Sequence, residues 1–516
     1  MAPVSASGAS AVRFPRGFLW GTATAAFQTE MGRGRNVDCN SDWYAWTHNA
    51  ANLASGRVSA DKPEQGPGEY ALFRQDARLV RHNLRSNAFR FSIEWSRIFP
   101  RSTAAVHVGS RITVGDLRNL DKLANHAAVR HYRAELEAIV RSRMTPFVTV
   151  NHFTLPLWVH DPIATRDALA NVGLNDSLPA GLKRAGWLDP STVVEFRKYA
   201  AYLAWKYGDL VRFWLPINEP LVVVEGGYVN IPGPPGGGSF PPGALSARAA
   251  VAALQNLERA NAAAYDAIHR FDRHARVGLV QNMVAFTPAN PGSAADVAAA
   301  KDADYLFNRL FVNAAVRGVY DANGNGTIEP SERHPSLAHK ADFLGVNYYL
   351  RGRVAAAGGP LTPVIPAFDF LPQVAYSWVQ QPGAPRCPTT CSDFGSEIYP
   401  QGFEQVLRTA GSYHLPVYVT ENGIADGSDA RRPAYLVQHL LALRRAMKRG
   451  YADVRGYFHW SLVDNFEWAA GYTPKFGLFS FSPTTLHRRA RPSAFLLRSI
   501  AGGDAIPAEL VRRYGG

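Results

Sequence analysis

Two glutamates sit where apolar runs end. Glu219 closes "RFWLPINEP" (212–220), and Glu421 lies in "PVYVTENGI" (416–424). Each has an asparagine beside it, Asn218 before the first and Asn422 after the second. Taken singly, either is a polar residue ahead of a turn. As a pair, two carboxyl groups can divide labour. One, kept protonated, donates to a departing oxygen; the other, kept ionised, attacks carbon or activates water. That division requires rigid supports that make the two groups converge.

Related groups end the other apolar runs. Gln28 follows "FLWGTATAAF" (18–27), and Arg90 lies in "NAFRFSIEW" (87–95). His152 closes "PFVTVNHF" (146–153), and Asn347 and Tyr349 lie in "DFLGVNYYL" (342–350). Trp460 lies in "RGYFHWSLVDN" (455–465), with Glu467 and Trp468 just beyond. Amides, carboxylates and imidazoles bond hydroxyl groups, and aromatic rings stack on the C–H face of a pyranose. Collected in one pocket around two carboxyl groups, this set suits a sugar and the hydrolysis of its glycosidic bond.

A barrel would collect them. With "RVGLVQNMV" (276–284) the apolar runs number eight. Most are continuous, the pattern of parallel strands buried on both faces. Helical patterns lie between them. "STVVEFRKYAAYLAWKYGDLV" places Val194, Tyr199, Leu203 and Tyr207 near one stripe, with Ser191 as the expected N-cap. "ARAAVAALQNLERANAAAYDAIHRF" and "PAYLVQHLLALRRAMKRG" read the same way. The expectation is an α/β fold, a single (β/α)8 TIM barrel over residues 13–516 behind a flexible tail of residues 1–12. A doubly wound sheet would need a glycine fingerprint after its first strand, and "GTATAAF" is not one. The Gly/Pro-rich stretches 230–243 and 355–368 read as long βα loops.

Composition narrows the classes further. Of 516 residues, 47% are apolar and 19% charged, as in globular chains. No apolar run is long enough for a membrane span. The net charge of +13 is scattered, without the basic patch a nucleic-acid partner would need. "MAPVSASGASAV" has neither the charged nor the apolar region of a signal peptide, so none is expected. Cys387 and Cys391 in "CPTTC" are either bridged or free; Cys39 is expected to be a small packed residue. Compartment and oligomeric state stay open.

"FLWGTATAAFQTE", "RFSIEWSRIFP", "NHFTLPLWVHDP", "INEP", "LGVNYY", "YVTENGIAD" and "GYFHWSLVDNFEWAAGYTPKFGL" occur in this order. In these motifs the chain resembles glycoside hydrolase family 1, the β-glucosidase and β-galactosidase family, in its archaeal-like branch. The resemblance runs from about Phe14 to Ala501. It implies a retaining exo-β-glycosidase acting on terminal β-D-glucosides or short oligosaccharides, with β-fucosides and β-galactosides also in range, and no cofactor for catalysis. Glu421 would be the nucleophile and Glu219 the acid/base, with carboxyl groups roughly 5–5.5 Å apart. Asn218 would bond the sugar 2-hydroxyl, and Arg90 and Tyr349 would flank Glu421. Gln28, His152, Asn347, Trp460, Glu467, Trp468 and Phe476 would line the sugar pocket. Glu467 would accept the 4- and 6-hydroxyls and repel a 6-phosphate. Pro216, Asn151 and Ser396 depart from the family pattern and leave the outer pocket unspecified. A transglycosylase and a non-catalytic carbohydrate-binding protein are the rival readings. The presence of both glutamates speaks against the second.

One motif lies outside this frame. "DANGNGTIEPSE" (321–332) fits the oxygen spacing of an EF-hand loop. Asp321, Asn323, Asn325, the Thr327 carbonyl and Glu332 would ligate a structural Ca2+, after an entering helix in "ADYLFNRLFVNAAVRGVY" (303–320).

Overall fold

All eight apolar runs become strands: β1 (Leu19–Ala23), β2 (Ala88–Ser92), β3 (Thr145–Asn151), β4 (Phe213–Ile217), β5 (Arg276–Asn282), β6 (Phe343–Tyr348), β7 (Val417–Asn422) and β8 (Val454–Trp460). They pair in parallel in chain order, and β8 closes on β1. The computed structural model describes residues 10–229, 239–321, 327–356, 370–373, 387 and 389–515. Helices including His126–Arg141, Ser191–Tyr207, Ala247–Phe271, Pro400–Gly411 and Arg432–Lys448 cover the outer face. Both faces of each strand are therefore covered, which is why the runs are continuous rather than alternating.

The floor of the barrel is an aromatic plug. Phe147 on β3 stacks on Phe213 with centroids 4.3 Å apart. Phe458 lies 4.7 Å and Tyr418 5.3 Å from the Phe147 ring. Neighbouring strands make room with glycine. A Cβ at Gly21 would fall 2.5 Å from the Phe458 ring, and one at Gly278 2.2 Å from the Phe343 ring. Large and small residues on alternate strands thus fill the interior, so the barrel is a closed support open only at its upper end.

Above the plug the lining turns polar, with Arg90, Thr149, Asn347 and Thr420 all buried. On β7, Tyr418 belongs to the plug, and the Thr420 hydroxyl donates to Asn347 at 2.6 Å. Strict alternation would turn Glu421 outward. A register shift against β6 between Val419 and Glu421 instead brings Glu421 to the interior. Asn422 then points the other way, donating to the Tyr435 hydroxyl in the outer helix layer at 2.7 Å.

Several local expectations change. Ser191 is the first residue of its helix, and Pro190 holds the cap position. Val194 is 40% exposed, whereas Tyr199, Leu203 and Tyr207 are buried. The segment read as one helix over 303–320 contains a π turn at Tyr305–Arg309 before Leu310–Arg317. Cys387 and Cys391 form a disulfide. Cys39 is exposed rather than packed. Residues 230–238 and 357–368 of the two expected long loops lie outside the described residues. A short sheet of Ala285–Pro288, Arg351–Ala356 and Phe370–Gln373 forms between β5 and β7 in the chain.

If the plug supports the barrel, Phe147→Ala leaves a cavity among four rings. It should destabilise the fold by about 3–5 kcal/mol, read as a lower denaturation midpoint. An unchanged midpoint would show that the surrounding rings collapse onto the gap.

Candidate active site

The upper end of the barrel opens into a cavity of about 360 Å³ lined by Gln28, His152, Asn218, Glu219, Tyr349, Glu421, Trp460, Glu467, Trp468 and Phe476, among others. Of the twelve residues assigned to the site from sequence, ten line this cavity directly. Arg90 and Asn347 stand behind the carboxyl groups and hold them.

Arg90 is the centre of the arrangement. Its side chain is 1% exposed, so its donors need partners inside the protein. Nε donates to Thr149 Oγ1 at 3.2 Å, and Nη1 to the Thr420 carbonyl at 3.1 Å and to Glu421 Oε1 at 2.5 Å. Nη2 donates to Asn218 Oδ1 at 2.6 Å. One guanidinium thereby fixes the carboxylate of β7 and the amide at the end of β4. The Tyr349 hydroxyl donates to the second oxygen of Glu421 at 2.5 Å. Burial and the Glu421 charge push the Tyr349 phenol up, so it stays a donor.

The orientation of Asn218 carries further. With Oδ1 turned to Arg90, Nδ2 faces His152 Nε2 at 3.4 Å. That nitrogen is then the acceptor, and the ring proton resides on Nδ1. Burial, aided by the charge of Arg90, holds His152 well below its usual range, so the imidazole is neutral. Nδ1 has no protein partner among the described residues, nor has Gln28 Oε1. Two buried polar atoms left so in a cavity wall favour a ligand that brings hydroxyl groups.

Glu219 has a different environment. It caps the helix Pro220–Tyr228 at φ 46°, a left-handed conformation rare outside glycine. Its backbone stays clamped, because its N–H donates to the Val280 carbonyl of β5 at 3.1 Å. Its Oε1 accepts from Asn347 Nδ2 at 2.6 Å. Burial first, then the negative Glu421, pushes the Glu219 carboxyl well up, against the smaller effects of Asn347 and Arg90. One carboxyl thus has a cation and a phenol; the other has a neutral amide and a negative neighbour. This is the asymmetry that acid and nucleophile roles need.

Opposite them, Gln28 Nε2 donates to the Phe466 carbonyl at 2.9 Å and approaches Glu467 Oε2 at 3.4 Å. Asn465 Nδ2 donates to the same Glu467 oxygen at 2.6 Å. Burial pushes Glu467 up to about 7, with the charge of Glu421 adding to it. His152 lies nearly parallel to Trp460 and Trp468, at 5.8 and 6.0 Å. Phe476 meets Tyr349 edge-on at 6.0 Å. Glu94, also near a strand end, is occupied structurally. It accepts from Thr154 Oγ1 at 2.7 Å and from Ser96, and burial pushes it up to about 8.

Other site groups carry no sequence signal of their own. Thr149, Thr420 and Asn465 matter only through the strand or loop they face. Phe240, Phe394 and Ile398 reach the cavity from irregular segments. Of the expected calcium ligands, Asn323 and Asn325 lie outside the described residues. Asp321 and Glu332 are buried, and the Tyr320 N–H donates to the Glu332 carbonyl at 3.0 Å, bringing the two ends of the loop together. Glu332 Oε2 accepts the Glu329 N–H at 3.1 Å. Among the described residues no group of three or more His, Cys, Asp or Glu is placed to hold a metal. No described helix is long and apolar enough to cross a membrane.

Residues 10–165 and 176–504 match the family described as glycosyl hydrolase family 1. A β-galactosidase of Pyrococcus woesei is 38% identical, over 96% of this chain and 98% of that protein. The crystal structure of the β-glycosidase from Thermosphaera aggregans superposes with a TM-score of 0.84 at 36% identity, covering 97% of this chain and 99% of that one. The β-glucosidase of Pyrococcus furiosus gives 0.81 at 37% identity, covering 97% and 98%.

The environment of Glu467 has a pH consequence. Its folded-state value of about 7 lies above that of an unfolded glutamate, so ionising it costs stability. The cost is absent below about pH 4.5, grows as pH rises toward 7 and is complete above it. Glu467→Gln should therefore match the native protein near pH 4 and exceed it above pH 7, by about 2 kcal/mol after discounting for partial exposure. Melting curves across pH 4–8 check this; a gap independent of pH would refute it.

Proposed function

The chain belongs to glycosyl hydrolase family 1, and on that basis we propose that it is a retaining exo-β-glycosidase working by double displacement. Glu421 attacks the anomeric carbon while Glu219 gives its proton to the leaving oxygen. The glycosidic C–O bond breaks, an α-linked glycosyl-enzyme forms on Glu421, and the alcohol departs. Glu219, now ionised, takes a proton from water. The hydroxide attacks the same carbon, the ester bond breaks, and the sugar leaves with its β configuration restored. The observation that carries this reading is the unequal setting of the two carboxyl groups. Glu421 pairs with Arg90 and Tyr349, whereas Glu219 accepts from an amide and faces a like charge.

The preferred sugar is a terminal β-D-glucoside, with β-fucosides and β-galactosides accepted. Gln28, His152 and Glu467 supply hydroxyl partners at the walls of the cavity. The carboxyl group of Glu467 disfavours a phosphate on the sugar. Transfer to an alcohol in place of water uses the same intermediate.

A structural calcium ion in the 321–332 loop is the second part of the reading. It is supported by the oxygen spacing of the sequence and by the buried Asp321 and Glu332 at its two ends. The ion takes no part in the chemistry.

With an aryl β-glucoside, Glu421→Gly should lose activity by about four orders of magnitude or more. Azide should restore turnover and yield the α-configured glucosyl azide. A β-configured product, or near-native activity without azide, would remove Glu421 from the nucleophile role. For the calcium loop, chelator should lower the melting temperature by several degrees, and Asp321→Asn should abolish that response. Equal melting with and without chelator, and metal-free purified protein, would end that part of the proposal.

A further inference from the structure

The register shift on β7 brings two consecutive side chains, Thr420 and Glu421, into the barrel. Glu421 takes the counter-charge of Arg90. Thr420 turns instead toward the other carboxyl group, through an amide. It is fully buried and is not among the residues that line the cavity. Gly345 on β6 leaves it space, since a Cβ there would fall 2.8 Å from the Thr420 hydroxyl oxygen.

The chain of hydrogen bonds begins at Arg90. A guanidinium only donates, so the Asn218 atom that Nη2 meets at 2.6 Å is Oδ1. Asn347 approaches the same oxygen at 3.3 Å and must present Nδ2 to it. Nδ2 also donates to Glu219 Oε1 at 2.6 Å. Asn347 Oδ1 is thereby turned to Thr420, whose hydroxyl donates to it at 2.6 Å. Each orientation follows from the one before, starting from a charge that is never lost. With Oε1 occupied as an acceptor, Oε2 is left to carry the acid's proton.

Resting on the glycosidase reading above, we infer that Thr420 is a positioning residue: its hydroxyl locks the Asn347 amide so that Glu219 holds its proton on Oε2 for the leaving oxygen. Without the hydroxyl, the Asn347 carbonyl is buried and unpaired, which is costly. Turning the amide over finds that carbonyl a partner only by capturing the Glu219 proton on Oε1, away from the leaving group.

Thr420→Val keeps the side-chain shape and the backbone carbonyl that Arg90 uses, and removes only the hydroxyl. Two substrates read the effect through kcat/KM, which reports the first displacement. Phenyl β-D-glucoside needs a proton on its leaving oxygen; 2,4-dinitrophenyl β-D-glucoside does not. Thr420→Val should lower kcat/KM for the phenyl glucoside about tenfold further than for the dinitrophenyl glucoside, the factor for losing one buried hydrogen bond. Thr420→Ser, which keeps the hydroxyl, should restore the native ratio. Thr420→Ala against Thr420→Ser makes the same comparison if the valine variant does not fold. A damaged site would lower both substrates alike. An unchanged ratio in the variants without the hydroxyl, or no recovery with serine, overturns the role of Thr420 and leaves the glycosidase reading standing. If the native protein does not hydrolyse the dinitrophenyl glucoside, that reading falls and this inference with it.

Discussion

The buried guanidinium of Arg90 is the constraint around which the upper barrel is organised. A charge at 1% exposure is tolerable only when it is paired and its donors are satisfied. Its partners come from β3 and β7, together with Asn218 just beyond β4. Satisfying one residue thus fixes the relative positions of three strands. It also orients the Asn218 amide, and through it the tautomer of His152. The geometry of the site is in this sense a by-product of solving a solvation problem. Removing Arg90 would leave Glu421 buried without its counter-charge, a loss of several kcal/mol before any chemistry is considered.

Beneath this polar layer the aromatic plug does the opposite work. It excludes water from the lower barrel and gives the strands a rigid floor, with glycine opposite the rings. The contrast between dry floor and polar rim sets the electrostatics of the site. Low dielectric strengthens the Arg90–Glu421 attraction and, at the same time, favours the neutral form of Glu219. The same burial that stabilises one glutamate's charge through a partner opposes charge on the other.

Much of this was legible in the chain. Eight continuous apolar runs gave all eight strands, because parallel strands covered on both faces have little freedom in composition. The polar residues at the run ends were legible because a barrel can send strand ends to only one rim. The errors are local and share a cause. Val194 faces solvent although most of its helix is buried, because five residues place it about 140° around the axis from Tyr199. Ser191 resembles a cap, but Pro190 already sets the backbone there. Cys39, taken for a packed residue, is exposed, because small size alone does not specify burial. The spacing of Cys387 and Cys391 left bridging open until the segment's course was known.

The sequence by itself determined the barrel, the pair of glutamates and most of the polar lining. These follow from hydrophobic pattern and residue type, which are properties of short segments. Only the tertiary structure decided which way each group faces. The register shift on β7 turns Glu421 inward where alternation would turn it out. The left-handed turn at Glu219 aims the second carboxyl across the rim. Phe394 and Ile398 join the cavity from a segment without regular pattern. Direction and juxtaposition arise from pairing between residues far apart in the chain, and no local pattern encodes them.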